Sequence, residues 1–340
     1  MTEKKQPSKP LLVAAIRTES TFEEIPVIDL KNLYSDDLAE RRALADLVRD
    51  ACINVGFFYI KNHNVPPETI SKALSAGKRF FALPQPAKDA IDIHKSDNFK
   101  GYTALLGENT NPENRGDLHE GFDIGWEALD GSVRSDDGAM TGENVWPHSK
   151  DLPGFREEVL EYYHAIVNLG KALFPIFALA LDLDEDFFSD KITKPAAIMR
   201  LLHYPSQGGA VDDRVQGIGA HTEQALCFTI LWQDDVPALQ VLNKDHKWVN
   251  AVPIPGTFVV NLGDQFARWT NDIFKSTVHR AVNRSGQERY SIPLFFGTDY
   301  DVKLEALPSC VSADFPPKYE VVTAGEYVKS RLESTYAHSK

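Results

Sequence analysis

Apolar and polar positions follow two different rhythms along this chain, helical in the first half and strand-like in the second. Near the N-terminus, Ile25-Pro26-Val27-Ile28-Asp29-Leu30 reads as a short strand, and apolar residues at 44, 47, 48, 51, 52 and 55 recur with helical spacing. The aromatic, β-prone run Gly56-Phe57-Phe58-Tyr59-Ile60 follows. Turn residues Asn62-His63-Asn64-Val65-Pro66-Pro67 close it, and a second helical pattern runs from Glu68 to Leu83. Residues 107–154 are rich in Gly, Asn, Asp and Pro and lack periodicity, which predicts an irregular functional loop with its tip near Asp136-Asp137-Gly138. From Phe155 onward, Val159, Tyr162, Tyr163, Ile166, Leu169, Leu173, Phe174 and Phe177 share one helical face. They predict a long bracing helix that ends near Leu183.

Past residue 195 the pattern becomes short β-prone runs between turns: Ile198 to His203, Cys227 to Trp232, Leu239 to Leu242, Thr257 to Asn261 and Tyr290 to Phe296. Strands punctuated in this way predict a sandwich or double-sheet jelly roll. The expected fold class is therefore α+β, mainly β, with a jelly-roll core, an N-terminal mixed α/β region and bracing helices. The corresponding segments are a tail at 1–24, an N-terminal region at 25–150, bracing helices at 151–195 and the core at 196–336. No internal repeat or low-complexity tract interrupts them.

Composition narrows the partners. With 340 residues, 43% hydrophobic and 25% charged, the chain has the make-up of an ordinary globular protein. A formal charge of -13 leaves no basic stripe for nucleic-acid phosphates and disfavours an anionic membrane, so a small molecule is the expected partner. Cys52, Cys227 and Cys310 are odd in number and far apart, which suggests neither a disulfide framework nor a zinc ribbon. Met1 to Pro10 is polar, and the apolar run Leu11 to Ile16 is too short for a signal-peptide core or a membrane span. A cytoplasmic location is expected on these grounds. Oligomeric state is not legible.

The candidate chemistry lies in Gly219-Ala220-His221-Thr222-Glu223 and in His279 of Ser276-Thr277-Val278-His279-Arg280. If the first segment is extended, His221 and Glu223 point to one face, because strand side chains alternate. A second imidazole from a later strand completes a facial triad that leaves three positions of an octahedral iron(II) open. Downstream, the turn Asn283-Arg284-Ser285-Gly286-Gln287-Glu288 feeds a strand on which Arg289 and Ser291 share a face. An arginine fork beside a hydroxyl suits recognition of a carboxylate, although a cross-strand salt bridge beside a surface serine fits the same spacing.

With these residues in view, the chain resembles the isopenicillin N synthase-like family of 2-oxoglutarate- and iron(II)-dependent oxygenases over almost all of residues 25 to 336. The N-terminal resemblance rests on Ile25-Pro26-Val27-Ile28-Asp29-Leu30, Gly56 to His63, Phe80-Phe81-Ala82-Leu83-Pro84 and Asn144-Val145-Trp146-Pro147. In the core it rests on Gln233-Asp234-Asp235, Leu239-Gln240-Val241, Asn261-Leu262-Gly263-Asp264 and Arg289-Tyr290-Ser291. The resemblance implies a distorted double-stranded β-helix, cupin-like, with His221, Glu223 and His279 as metal ligands. Arg289, Ser291 and Tyr204 are then the residues that hold the distal carboxylate of 2-oxoglutarate. It also implies O2 as co-substrate, ascorbate as a stimulant, and hydroxylation or desaturation of a small secondary metabolite with release of succinate and CO2.

One position departs from that family, which has Asp where this chain has Glu223. The extra methylene moves the carboxylate by roughly a bond length, which matters where a site is held to within about 0.5 Å. Two alternatives therefore stand beside the main reading: an oxidase of the same superfamily that does not consume 2-oxoglutarate, and a catalytically impaired variant. Elsewhere the plainer reading is preferred. His63, His148 and His246 are expected to be structural or solvated, Asn261 to Asp264 a strand-ending turn, and Phe57-Phe58 and Phe295-Phe296 core. Gly217-Ile218-Gly219 lacks the strand-to-helix setting of a phosphate loop. Phe99 to Leu106, residues 107–154 and Val321 to Tyr336 are the candidate pocket walls, and Arg200 and His203 each face either substrate or core.

Overall fold

The computed structural model describes residue 11 and residues 21–96, 98–110, 116–129, 142–207 and 216–337. The expected loop tip at Asp136-Asp137-Gly138 lies outside the described residues. In chain order the strands are β1 (Val27–Asp29), β2 (Phe57–Lys61), β3 (Gly101–Thr103), β4 (Glu120–Ile124), β5 (Ala197–Tyr204), β6 (Ile218–His221), β7 (Phe228–Gln233), β8 (Leu239–Leu242), β9 (Trp248–Asn250), β10 (Thr257–Leu262), β11 (His279–Ala281) and β12 (Arg289–Phe296). The helices are α1 (Leu38–Asn54), α2 (Pro67–Phe81), α3 (Gln85–Asp89), α4 (Phe155–Ala180), α5 (Asp264–Trp269) and α6 (Ala324–Ala337).

Two sheets carry the fold. The larger has the order β1-β2-β10-β7-β12-β5-β4-β3, and the smaller has β6-β11-β8-β9. This is the expected jelly-roll core, extended by strands from before residue 150 that join the larger sheet at both ends. Thus β2 pairs antiparallel with β10, and β4 pairs antiparallel with β5.

Helix α1 starts where the Asp37 carboxylate accepts the Ala39 N–H, a side-chain N-cap. It ends at Gly56, whose φ of +74° and contact with the Lys275 carbonyl leave no room for a Cβ. Its apolar stripe is buried at Leu44, Val48, Ala51, Cys52 and Val55, but Leu47 is 57% exposed because it falls on the stripe's margin. Helix α4 ends three residues before the expected Leu183. All eight of its expected face residues are buried, together with much of the opposite side, because α1, α2 and β12 pack around it. It is long and apolar enough to cross a bilayer, yet 67% of its most apolar stretch is buried inside the protein, as befits a core helix.

The structure corrects the sequence reading in three places. Strand β4 lies inside the segment expected to be irregular. Its polar residues Glu120 and Asp123 are buried in ion pairs, and that erases the alternation a strand normally shows. Strands β3 and β9, only three residues each, were not expected, whereas β6 and β11 supply the extended segments that the reading of His221 and His279 called for. Asn261 to Asp264 closes β10 but also opens helix α5.

Gly170 of α4 sets the distance between helix and sheet, since a Cβ there would press into the fully buried Phe296 ring of β12. Alanine favours a helix by about 1 kcal/mol, but overpacking a filled core costs about 1–3 kcal/mol. Gly170→Ala is therefore expected to lower the denaturant midpoint of unfolding, and an unchanged or raised midpoint would show that Phe296 moves aside freely.

Candidate metal and co-substrate site

The short strands β6 and β11 run antiparallel with His279 directly opposite His221, and their ring centroids are 4.3 Å apart. Each imidazole has its Nδ1 turned to a backbone carbonyl two residues back: His221 to Gly219 at 2.7 Å and His279 to Thr277 at 3.1 Å. An Nδ1–H donating in that way leaves the Nε2 lone pair free for a cation. Phe57 of β2 packs edge-on against His279 at 5.1 Å.

Glu223 lies just beyond the end of β6, so strand alternation alone does not aim its carboxyl. The turn is fixed from below by α5, where Asp264 N–H donates to the Glu223 carbonyl at 2.7 Å and the Asp264 carboxylate accepts the Thr222 hydroxyl at 3.1 Å. Gly263 permits this approach, because a Cβ there would collide with the Leu226 carbonyl. The longer Glu223 side chain reaches the Thr229 hydroxyl, which donates to it at 3.2 Å.

His221, Glu223 and His279 each offer one ligand atom, all within 4.8 Å of one another, and they are the one such cluster among the described residues. Burial, reinforced by His221 alongside, pushes His279 down to about 3, and burial also lowers His221. Burial pushes the Glu223 carboxyl up to about 7, with the Thr229 hydrogen bond opposing and Asp264 adding to the rise. Two neutral imidazoles and a carboxyl deprived of solvent form a donor set that a divalent cation satisfies. The residues fit iron(II) by the chemistry of their donors.

The second expected group assembles on the larger sheet. Arg289 and Tyr204 are directly paired across β12 and β5, and Ser291 lies two residues along on the same face. All three side chains are almost wholly buried. The guanidinium lies 4.7 Å from the centre of the Tyr204 ring and contacts the Ser291 hydroxyl at 3.4 Å, which in turn lies 3.5 Å from the Tyr204 hydroxyl. Its other partners are the Gln233 side-chain oxygen at 3.2 Å and the Val236 carbonyl at 3.3 Å. Every one of these partners is neutral. Nearby Asp234 accepts instead from the backbone N–H groups of Tyr290 and Val236.

Both groups line one cavity of about 480 Å³ between the sheets. On β5, Arg200 points into this cavity with Tyr204, whereas His203 turns to the other face and stacks on Tyr290 at 4.8 Å. The structure corrects the core assignment of Phe295, which lines the cavity, while Phe57, Phe58 and Phe296 are fully buried. His63 is buried and accepts the Val65 N–H, and His148 and His246 are exposed. Glu108, His119 and Asp123 also line the cavity; they lie in the expected wall segment 107–154, as Phe99 and Arg331 lie in the other two, but no recognisable spacing singled them out.

Comparison with known proteins agrees with this geometry. A family model described as the N-terminal region of non-haem dioxygenases in morphine synthesis matches residues 25–149, and that of the 2OG-Fe(II) oxygenase superfamily matches residues 195–298. The chain belongs to the 2OG-Fe(II) oxygenase superfamily, oxidoreductases that use iron(II), 2-oxoglutarate and O2. Among its relatives, the 2-oxoglutarate-Fe(II) type oxidoreductase hxnY of Emericella nidulans is 39% identical over 93% of this chain and 91% of its own. A homoarginine-6-hydroxylase of Arabidopsis thaliana is 31% identical over 93% of this chain and 98% of its own. A full-length Neurospora crassa protein crystallised with alpha-KG and thymine superposes with a TM-score of 0.82 and 28% identity, covering 92% of this chain and 97% of that one.

Asp117 ties the cavity loop to the strand bearing His221. One of its carboxylate oxygens accepts the Gly219 N–H at 2.9 Å, and the Thr110 N–H and hydroxyl donate to the same carboxylate. Because Gly219 also holds His221, Asp117→Ala is expected to weaken Mn(II) binding about 10- to 100-fold. Calorimetric titration measures this, and unchanged affinity would show that β6 keeps its place without the carboxylate.

Proposed function

We propose that this protein oxidises a small organic molecule with O2 and 2-oxoglutarate, inserting a hydroxyl or removing two hydrogens, and releases succinate and CO2. The observation that carries the proposal is Arg289, buried with only neutral partners beside a cluster of two imidazoles and a carboxyl. A buried guanidinium whose hydrogen-bond partners are all neutral, with the nearby Asp234 carboxylate bonded to backbone N–H groups instead, is costly, and an anionic ligand relieves it. In this reading Arg289, Ser291 and Tyr204 bind the distal carboxylate of 2-oxoglutarate, and His221, Glu223 and His279 hold iron(II). Bound there, the metal supplies the centre at which O2 is activated. The enclosing sheets keep bulk water from the reacting groups.

The segments 25–150, 151–195 and 196–336 then act as parts of one catalytic unit. The ligands named for similar proteins range from thymine to the JA bound with 2OG and Fe in JOX2, so they support a small-molecule substrate without choosing its charge. Three buried free cysteines and a charge of -13 support a reducing, cytoplasmic setting away from nucleic acid and membrane.

The deciding assay follows succinate and labelled CO2 from 2-oxoglutarate with the iron(II)-loaded protein under air. Equal amounts of the two products are expected, lost with a chelator and with His279→Ala. Oxygen uptake without succinate would overturn the 2-oxoglutarate reading in favour of the other oxidase. Arg289→Met removes the charge while keeping bulk. A charged hydrogen bond is worth about 1.5–3 kcal/mol, so the half-saturating 2-oxoglutarate concentration is expected to rise roughly 10- to 150-fold, and an unchanged value would exclude Arg289 from the co-substrate site.

A further inference from the structure

Of the four arginines that line the cavity, Arg200 is treated in the opposite way to Arg289. Arg200 lies four residues before Tyr204 on β5, on the same face and roughly 13 Å along the strand. Directly across from it on β4 is Asp123. Arg200 Nε donates to Asp123 Oδ1 at 2.7 Å, and its two terminal nitrogens donate to the Glu108 carboxylate at 3.0 and 2.6 Å. His119 Nε2 stands 3.3 Å from Glu108, while its Nδ1 is held by the Gly217 carbonyl at 2.8 Å.

One guanidinium thus meets two carboxylates. With the His119 imidazole neutral the group has surplus negative charge, and with it protonated the group is neutral. In neither state does this group offer an incoming carboxylate an uncompensated cation, and the other two arginines of the cavity, Arg280 and Arg331, are stacked on Trp248 and Tyr327. Asp123, meanwhile, is only 5% exposed, and its Oδ2 accepts no bond from the described residues although the side chain lines the cavity. A carboxylate oxygen left without such a bond, on a side chain that lines a cavity, is open to a ligand's donor. Burial pushes this carboxyl up to about 6, with Arg200 opposing and Glu108 adding to the rise. Apolar Phe99, Ile198 and Phe295 line the same cavity.

We infer that Asp123, braced by Arg200 and Glu108, is a substrate-binding residue, and that the substrate is a small nitrogen compound that directs an N–H donor at it rather than an anionic acid. This rests on the oxygenase reading of the same cavity. The two arginines then divide the labour: Arg289, hydrogen-bonded to no carboxylate among the described residues, takes the dicarboxylate co-substrate, and Arg200, already bonded to two, holds an acceptor in place for a donor.

The test is calorimetric titration of the Mn(II)- and 2-oxoglutarate-loaded full chain, without O2, using benzylamine, benzamide and benzoate, which share a ring and differ in charge and donors. Benzylamine or benzamide is expected to bind at least tenfold tighter than benzoate, and Asp123→Asn to remove most of the amine's advantage. Should Asp123→Asn fail to fold, Glu108→Gln replaces it with the same expectation. The inference is overturned if benzoate binds equally well or better, if neither nitrogen probe binds at millimolar concentration, or if the preference survives substitution. Titration of 2-oxoglutarate alone into the unmodified Mn(II) protein stands apart, since absence of binding there sinks the co-substrate reading instead.

Discussion

The antiparallel register of β6 and β11, which sets His279 opposite His221, is the constraint on which the rest of the site depends. Each strand is too short to be stable by itself. Their alignment is held from outside: β8 continues the sheet beyond β11, Asp117 grips Gly219, and α5 holds the carbonyl of Glu223. One slip of a single residue would turn an imidazole away from the cavity. The many backbone contacts around these few residues are therefore what gives three separate side chains one meeting point.

Charge is the second organising principle. Within one cavity the fold surrounds two of its guanidinium groups differently, the buried Arg289 with neutral oxygens and an aromatic ring, the half-buried Arg200 with two carboxylates. Burial raises the Glu223 carboxyl in the same space while keeping both imidazoles uncharged. The cluster of two imidazoles and a carboxyl and the neutral-bonded Arg289 are groups that a cation and an anion would jointly satisfy, which is how one site can select a charged pair of ligands together.

Much of this was legible in the sequence, for reasons that can be named. Helices α1, α2 and α4 and strands β2, β5, β7, β8, β10 and β12 show strong periodicity because one face of each is core. The Arg289 group could be found because a short spacing within a strand translates directly into a shared face, whereas Glu223 falls in the turn after β6 and its place among the ligands came with the resemblance. What could not be read were contacts that need distant partners. Glu120 and Asp123 look like loop residues until Lys88, His203 and Arg200 are placed against them. The choice between Arg200 and His203 depends on which face of β5 the fold turns to the cavity, and Phe295 faces the cavity because its neighbour Phe296, on the opposite face of β12, fills the space over Gly170.

The order of strands in the larger sheet also bears on how the chain acquires its shape. Lys61 at the end of β2 pairs with Thr257 at the start of β10, almost two hundred residues later. At ribosomal speeds of about 5–20 residues per second, roughly 10–40 s pass before β2 meets that neighbour. Throughout that interval the Phe57-Phe58-Tyr59 edge has only the three-residue β1 beside it. Nascent chains of this protein are thus exposed to sticking at an aromatic edge until β10 has been made, and the sheet begun by the early strands is completed by the late ones.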